Sequence, residues 1–218
     1  MTRSGSGIDG HDDKVRLRTW LRERREALEP ADRAAQSRDL ARQVLEHVGS
    51  TILPTGEGGR STIAAYLGVA PEPDTIALLT ALAPDHDIVV PICEPRYQLS
   101  WAAWTPGTPL ERSVRAPVGE PGGRRFAFTE LTGVRLILVP ALGIDQDGQR
   151  VGQGGGYYDR FLADHPHDAP NAVPRLGIVY RSELLPAGRV PARPYDQPLH
   201  GAFTADGLRL FGARATPV

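Results

Sequence analysis

Cysteine is almost missing from this chain. Cys93 stands alone among 218 residues, which excludes an internal disulfide and any CxxC metal site. Its place at the end of an apolar run predicts a buried residue. There is no apolar run of roughly 18 residues and no signal-peptide core, so neither a membrane span nor export is expected, and a cytoplasmic location is. Charge of one sign is missing too. Twenty-five Lys and Arg face 26 Asp and Glu for a net charge of −1, which gives no electrostatic footprint for nucleic acid. Nor do aromatic and basic residues interleave as a base-stacking platform would require. Lysine is the most informative scarcity, because Lys14 is the only one. A chain that otherwise uses arginine keeps a compact, mobile ammonium at one place, a kind of point charge that arginine does not always replace at a phosphate. Lys14 and Arg18 lie one helical turn apart and share a face. Arg22, Arg24 and Arg25 continue the basic run and read mostly as a solvated helix surface.

What is present is an alternation of apolar strands with helices. Strands are expected near 62–67, 87–91, 99–104, 134–140, 174–180 and 201–205. Helices are expected near 13–28, from after Glu29-Pro30-Ala31-Asp32 to Val48, and near 74–83 and 156–164, the second with Leu40, Val44 and Val48 at helical spacing. This pattern predicts an α/β fold, a single layered α/β/α domain around a mostly parallel or mixed, Rossmann-like sheet. The length suits one domain over 13–218 with a Gly/Ser/Asp-rich flexible tail over 1–12. Residues 51–60 read as a glycine-bearing loop. Residues 106–125 read as a long irregular crossing that could lie over a site as a lid.

The stretch from Val139 to Leu162, VPALGIDQDGQRVGQGGGYYDRFL, carries the chemistry. A strand ends at Pro140 and a polar turn follows at Asp145-Gln146-Asp147-Gly148. Then come Arg150, the glycines Gly152, Gly154, Gly155 and Gly156, and a helix start at Tyr157-Tyr158-Asp159. Glycines let backbone N–H groups approach an anion closely, and a helix N-terminus adds unpaired N–H groups and a positive dipole end. Arg150 adds a fixed charge and Asp159 a hard oxygen ligand suited to Mg²⁺. Together they describe a Mg-nucleotide phosphate site. It is not a P-loop, since no lysine follows the glycines and no Ser or Thr opens the helix. It is a poor match to the dinucleotide fingerprint, because a long turn separates strand from glycines and Tyr157 stands where a glycine is needed.

The segment RVGQGGGYYDRFL resembles the signature of the 5-formyltetrahydrofolate cyclo-ligases, Arg-Leu-Gly-x-Gly-x-Gly-Tyr-Tyr-Asp, with Val151 for Leu and Gln153 at a position where other members often carry Tyr, Arg or Met. The resemblance extends to Lys-x-x-Leu-Arg near the N-terminus, to Arg96-Tyr97, and to Gly119-Glu120-Pro121. It implies an enzyme that converts 5-formyltetrahydrofolate to 5,10-methenyltetrahydrofolate with ATP and Mg²⁺, through phosphorylation of the formyl oxygen and ring closure by N10.

By that resemblance Lys14, Arg18, Arg150, Gly152, Gly154, Gly155, Gly156, Tyr157 and Tyr158 are implied to contact ATP, with Lys14 and Arg150 catalytic. Leu67, Glu72, Gln153 and Tyr157 are implied to contact the folate, and Asp159 and Asp196 to hold Mg²⁺. From residue type alone Glu72 is a first-turn carboxylate complementing a helix dipole; the register of Tyr66-Leu67 and Asp74-Thr75 turns it toward the substrate. Asp74 reads as an N-cap. The expected partner is a small molecule, the folate, polyglutamylated or not, with no nucleic acid and no membrane, and the expected state is a monomer. A different phosphate- or nucleotide-using enzyme on the same scaffold, or a non-catalytic folate-binding protein, remain as alternatives.

Overall fold

The computed structural model describes residues 9–52, 59–193 and 196–212. Two helices come first, α1 (Asp9–Glu26) and α2 (Pro30–Thr51). They are followed by β1 (Ser61–Ala64), α3 (Ile76–Leu82), β2 (His86–Glu94), β3 (Gln98–Trp104), β4 (Leu110–Arg112), β5 (Gly119–Pro121), β6 (Val134–Pro140), β7 (Gly143–Asp145) and β8 (Arg150–Val151). The chain continues through α4 (Tyr157–Asp164), β9 (Arg175–Ile178), β10 (Leu184–Leu185), β11 (Gly201–Thr204) and β12 (Gly207–Leu210). A seven-stranded sheet runs β12-β11-β9-β6-β1-β2-β3. Its five inner strands are parallel, while β12 and β3 pair antiparallel at the two edges. The sheet is therefore mixed with a parallel centre, and the α/β class expected from the sequence is what is found.

Parallel strands covered on both faces read as unbroken apolar runs, and β1, β9 and β11 are buried at every position. On one face α2 inserts Leu40, Val44 and Val48, one helical turn apart, beside Leu78, Leu79 and Leu82 of α3. On the other, Phe161 and Leu162 of α4 pack with Trp101 and Ile144. A satellite core of Leu21, Leu142, Val151, Leu185 and Val190 ties α1 to the small sheet β10-β7-β8. No helix among the described residues is long and apolar enough to cross a membrane.

Several boundaries differ from expectation. Helix α1 begins at Asp9, so the last four residues of the expected tail are helical; residues 1–8, and 53–58 of the expected loop, lie outside the described residues. The 106–125 crossing is not wholly irregular, because β4 and β5 form an antiparallel hairpin there. Strands of two or three residues show no readable period, which hides β7, β8 and β10 as well. Cys93 is buried, as expected.

Three histidines give the fold a pH dependence. Burial lowers His47, His86 and His200 from the ordinary 6.5, with the positive charge of Arg175 adding to the effect at His200. The unfolded chain therefore binds more protons than the native one just below that value, and stability is lost as pH falls through it. Burial raises the carboxyls of Asp145 and Glu183, which act with the opposite sign at the acid end. The melting temperature is expected to decline below about pH 6.5, and a thermal series across that range checks it.

Candidate active site

In open α/β sheets ligands bind beyond the carboxyl ends of the strands, where the strand order reverses. Here the reversal lies between β1 and β6, since β1 has β2 on one side and β6 on the other. A cavity of about 560 Å³ opens at that place. One wall is apolar and follows from β1, β2 and β3: Tyr66, Leu67, Val90, Pro91 and Leu99. The opposite wall is the loop 152–156 with Arg150, Tyr157, Tyr158 and Asp159. The segment from Arg115 to Gly119, at the tip of the β4–β5 hairpin, lines it too.

The loop joins β8 to α4, and glycine is required there by conformation. Gly154 has φ +104°, and Gly156, the N-cap of α4, has φ +74°. Gly152 is crowded instead: a Cβ there would meet Arg150 Nη1 at 2.6 Å and push the guanidinium out of its place. Gly154→Ala is expected to destabilise by about 1 kcal/mol or more, since alanine resists positive φ, and to weaken any anion held by the loop. Thermal unfolding and an ATP titration read the two effects separately.

Helix α1 lies along this loop. Lys14 Nζ donates to Asp196 Oδ2 at 2.6 Å, and Arg18 Nε donates to the Gly152 carbonyl at 3.0 Å. Arg22 Nη2 donates to the Gln153 carbonyl at 2.6 Å. Arg25 is 2% exposed and holds Glu183 Oε1 and Oε2 at 2.6 and 2.8 Å. Steps of four, four and three place all four cations on one face. The solvated face expected for the later arginines is thus wrong for Arg25, which is buried, while Arg22 and Arg24 are exposed, Arg22 against Gln153 and Arg24 over the Trp20 ring. Burial lowers Arg18, and the like charges of Arg22 and Arg193 lower it further against the pull of Asp159.

The loop is tied to the apolar wall through Gln153, whose Nε2 donates to Glu72 Oε1 at 3.0 Å. Glu72 Oε2 also accepts the Val69 N–H at 3.2 Å, in a turn with a cis Ala70–Pro71 peptide. Asp74 Oδ1 accepts the Ile76 N–H at 2.9 Å, but the N-cap of α3 is Thr75, one residue after the position expected. Arg150 ion-pairs with Asp159 and donates to the Pro140 carbonyl at 3.2 Å. Tyr158 is half-buried beside Arg150, and its hydroxyl, itself buried and pushed well above its ordinary range by burial, has no hydrogen-bond partner among the described residues. Tyr157 meets Tyr97 edge-on at 5.7 Å. Cys93 lines the cavity, its N–H on Glu120 Oε1 at 2.8 Å and its thiol pushed up to about 12 by burial and by Glu120.

Every site residue singled out in the sequence is therefore in or beside one region. Leu67, Glu72, Arg150, Gly152 to Gly156, Tyr157, Tyr158 and Asp159 line the cavity. Arg18 touches the loop from α1 through the Gly152 carbonyl, and Lys14, one turn earlier, is paired to Asp196; none of these three is among the residues that line the cavity. Asp159 and Asp196 each face a cation, and no group of three or more His, Cys, Asp or Glu that could hold a metal occurs among the described residues.

The sequence profile of the 5-formyltetrahydrofolate cyclo-ligase family matches residues 11–205. A 5-formyltetrahydrofolate cyclo-ligase of Mycolicibacterium smegmatis is 34% identical over 143 residues, covering 62% of this chain and 69% of that relative. One from Escherichia coli K12 is 25% identical over 187 residues, 84% of this chain and 96% of the relative. The fold is similar to that of 5,10-methenyltetrahydrofolate synthetase from Aquifex aeolicus, with a TM-score of 0.67 at 23% identity over 94% of this chain and 96% of that one.

Proposed function

The chain belongs to the 5-formyltetrahydrofolate cyclo-ligase family, and on that premise we propose how its cavity closes 5-formyltetrahydrofolate to 5,10-methenyltetrahydrofolate with hydrolysis of ATP to ADP and phosphate. The observation that carries the reading is the union of two unlike walls in one cavity. A cationic glycine loop suited to phosphates faces an apolar slot with a carboxylate, Glu72, among its lining residues.

A formamide oxygen is a poor leaving group, and bound ATP supplies the phosphoryl group that makes it a good one. N10 of the folate then attacks the formyl carbon, the five-membered ring closes, and the formyl oxygen departs with phosphate. Enzymes accelerate such transfers chiefly by positioning and by stabilising charge. Lys14, Arg18 and Arg150 neutralise phosphate charge, and Gly152, Gly154, Gly155 and Gly156 offer backbone N–H groups. Tyr158, kept neutral by its burial, is a hydroxyl donor to the nucleotide. Leu67, Tyr157 and Gln153 contact the folate, and Glu72 orients its pterin or N10 side.

The charges present fit Mg-ATP. Lys14–Asp196 and Arg150–Asp159 each couple a cation suited to a phosphate oxygen with a hard carboxylate suited to Mg²⁺. A ligand carrying both signs can exchange partners with both pairs, and its anionic part relieves the repulsion that Arg18 feels from Arg22 and Arg193. Asp159 and Asp196 would hold the metal, which screens the phosphates.

Near-UV absorbance of the protein with 5-formyltetrahydrofolate and Mg-ATP is the direct test, because the methenyl product absorbs at longer wavelength than its substrate. A rise that needs both ATP and Mg²⁺ is expected. No rise and no ADP would assign the glycine loop to another phosphate substrate.

A further inference from the structure

Arg25 has more bonding capacity than its structural partners use. Its Nε and Nη2 are taken by Glu183, and Nη2 also donates to the Ala141 carbonyl at 2.6 Å. Its Nη1 is buried without a hydrogen-bond partner among the described residues and lies 4.0 Å from Glu72 Oε1. An unmade hydrogen bond on a buried charged group costs stability, and a buried Arg–Glu pair often contributes less than apolar packing of the same volume would. Glu183 is itself fully buried and fixed by the Tyr180 N–H at 2.9 Å. The guanidinium is therefore clamped along one edge and presents the other to Glu72. Glu72 in turn has one oxygen on Val69 N–H and the other between Gln153 and Arg25.

We propose that Arg25 is a positioning residue for the folate: anchored by Glu183 and Ala141, it acts through Glu72 and fixes the direction in which that carboxylate faces the cavity. The proposal rests on the reading of Glu72 as a folate ligand. The donor set is selective for this end of the cavity, since Arg25 lies at the far end of the α1 stripe from Lys14. Loss of the contact should weaken folate binding and leave the nucleotide untouched.

The test compares wild type with Arg25→Lys, which keeps a charge for Glu183 and loses the planar second edge. Because that variant could fail to fold, a second one, Arg25→Met with Glu183→Gln, removes both buried charges together; thermal unfolding establishes which variants are folded. The expected result is a KM for 5-formyltetrahydrofolate raised about tenfold, equal to about 1.4 kcal/mol, with the KM for ATP and kcat changed less than about twofold. In a Glu72→Gln background the same change at Arg25 should add little, since the two act as one unit. An unchanged folate KM in a folded variant, a parallel rise for ATP, or full additivity with Glu72→Gln would each overturn the proposal. If wild type fails to turn over 5-formyltetrahydrofolate, the functional reading falls, and calorimetric titration of the same folate into wild type and Arg25→Lys still decides the role of Arg25.

Discussion

Lys14→Ala is expected to lower kcat/KM for Mg-ATP on the order of 10²–10³-fold, the scale on which removal of one well-placed electrostatic donor acts, while the fold stays intact. The ammonium sits near the start of α1 and is bonded to Asp196, with each side chain little more than one-tenth exposed. In a phosphoryl transfer the loss of such a charge is felt most in the transition state. Lys14→Arg should restore only part of the rate, because a rigid fork does not reproduce a point charge on a mobile stem. Arg150→Ala is expected to cost a comparable factor, since it removes the cation between the strand end at Pro140 and the carboxylate of Asp159. Steady-state kinetics in ATP, with melting temperature as the control, checks both. Near-normal ATP-dependent turnover in either variant would remove that residue from the mechanism.

Glu183→Ala is expected to have the largest effect on stability, about 3–5 kcal/mol, because it strands a guanidinium in a place that water does not reach. Glu183 is 0% exposed and Arg25 2%. Burial raises the Glu183 carboxyl while Arg25 holds it down, and Glu183 in turn supports the charge on Arg25 against the same burial. Urea unfolding measures the loss. Removing both charges in Arg25→Met with Glu183→Gln should cost less than Glu183→Ala alone, and a double variant as unstable as the single one would show that packing, not charge, is at stake.

The long elements were legible in the sequence for physical reasons. Helix α2 carries Leu40, Val44 and Val48 at one-turn spacing, and β6 is an apolar run long enough to reveal a strand buried on both faces. Short strands such as β8, with two residues, have no period to read. The edge strand β12 escaped for a related reason, since the four residues Gly-Leu-Arg-Leu are too few for a period and Leu210 is exposed. At the site, the glycine loop and the solitary lysine stood out by residue type. Arg22 and Arg25 did not, because an arginine-rich helix usually faces water, and the partner that buries Arg25 lies 158 residues away. The spacing of 14, 18, 22 and 25 was the one signal that could have drawn attention to them.

That spacing makes α1 a ruler. Eleven residues separate Lys14 from Arg25, and at about 1.5 Å per residue they span roughly 16 Å. One end of the ruler touches the carboxylate beside the phosphate loop, and the other faces the carboxylate beside the apolar slot. Because the rod is rigid, the distance between the two halves of the cavity is written in the residue count between those cations. A single inserted residue between them would turn one end about 100° relative to the other, so that no side-chain choice at either end could restore both grips at once.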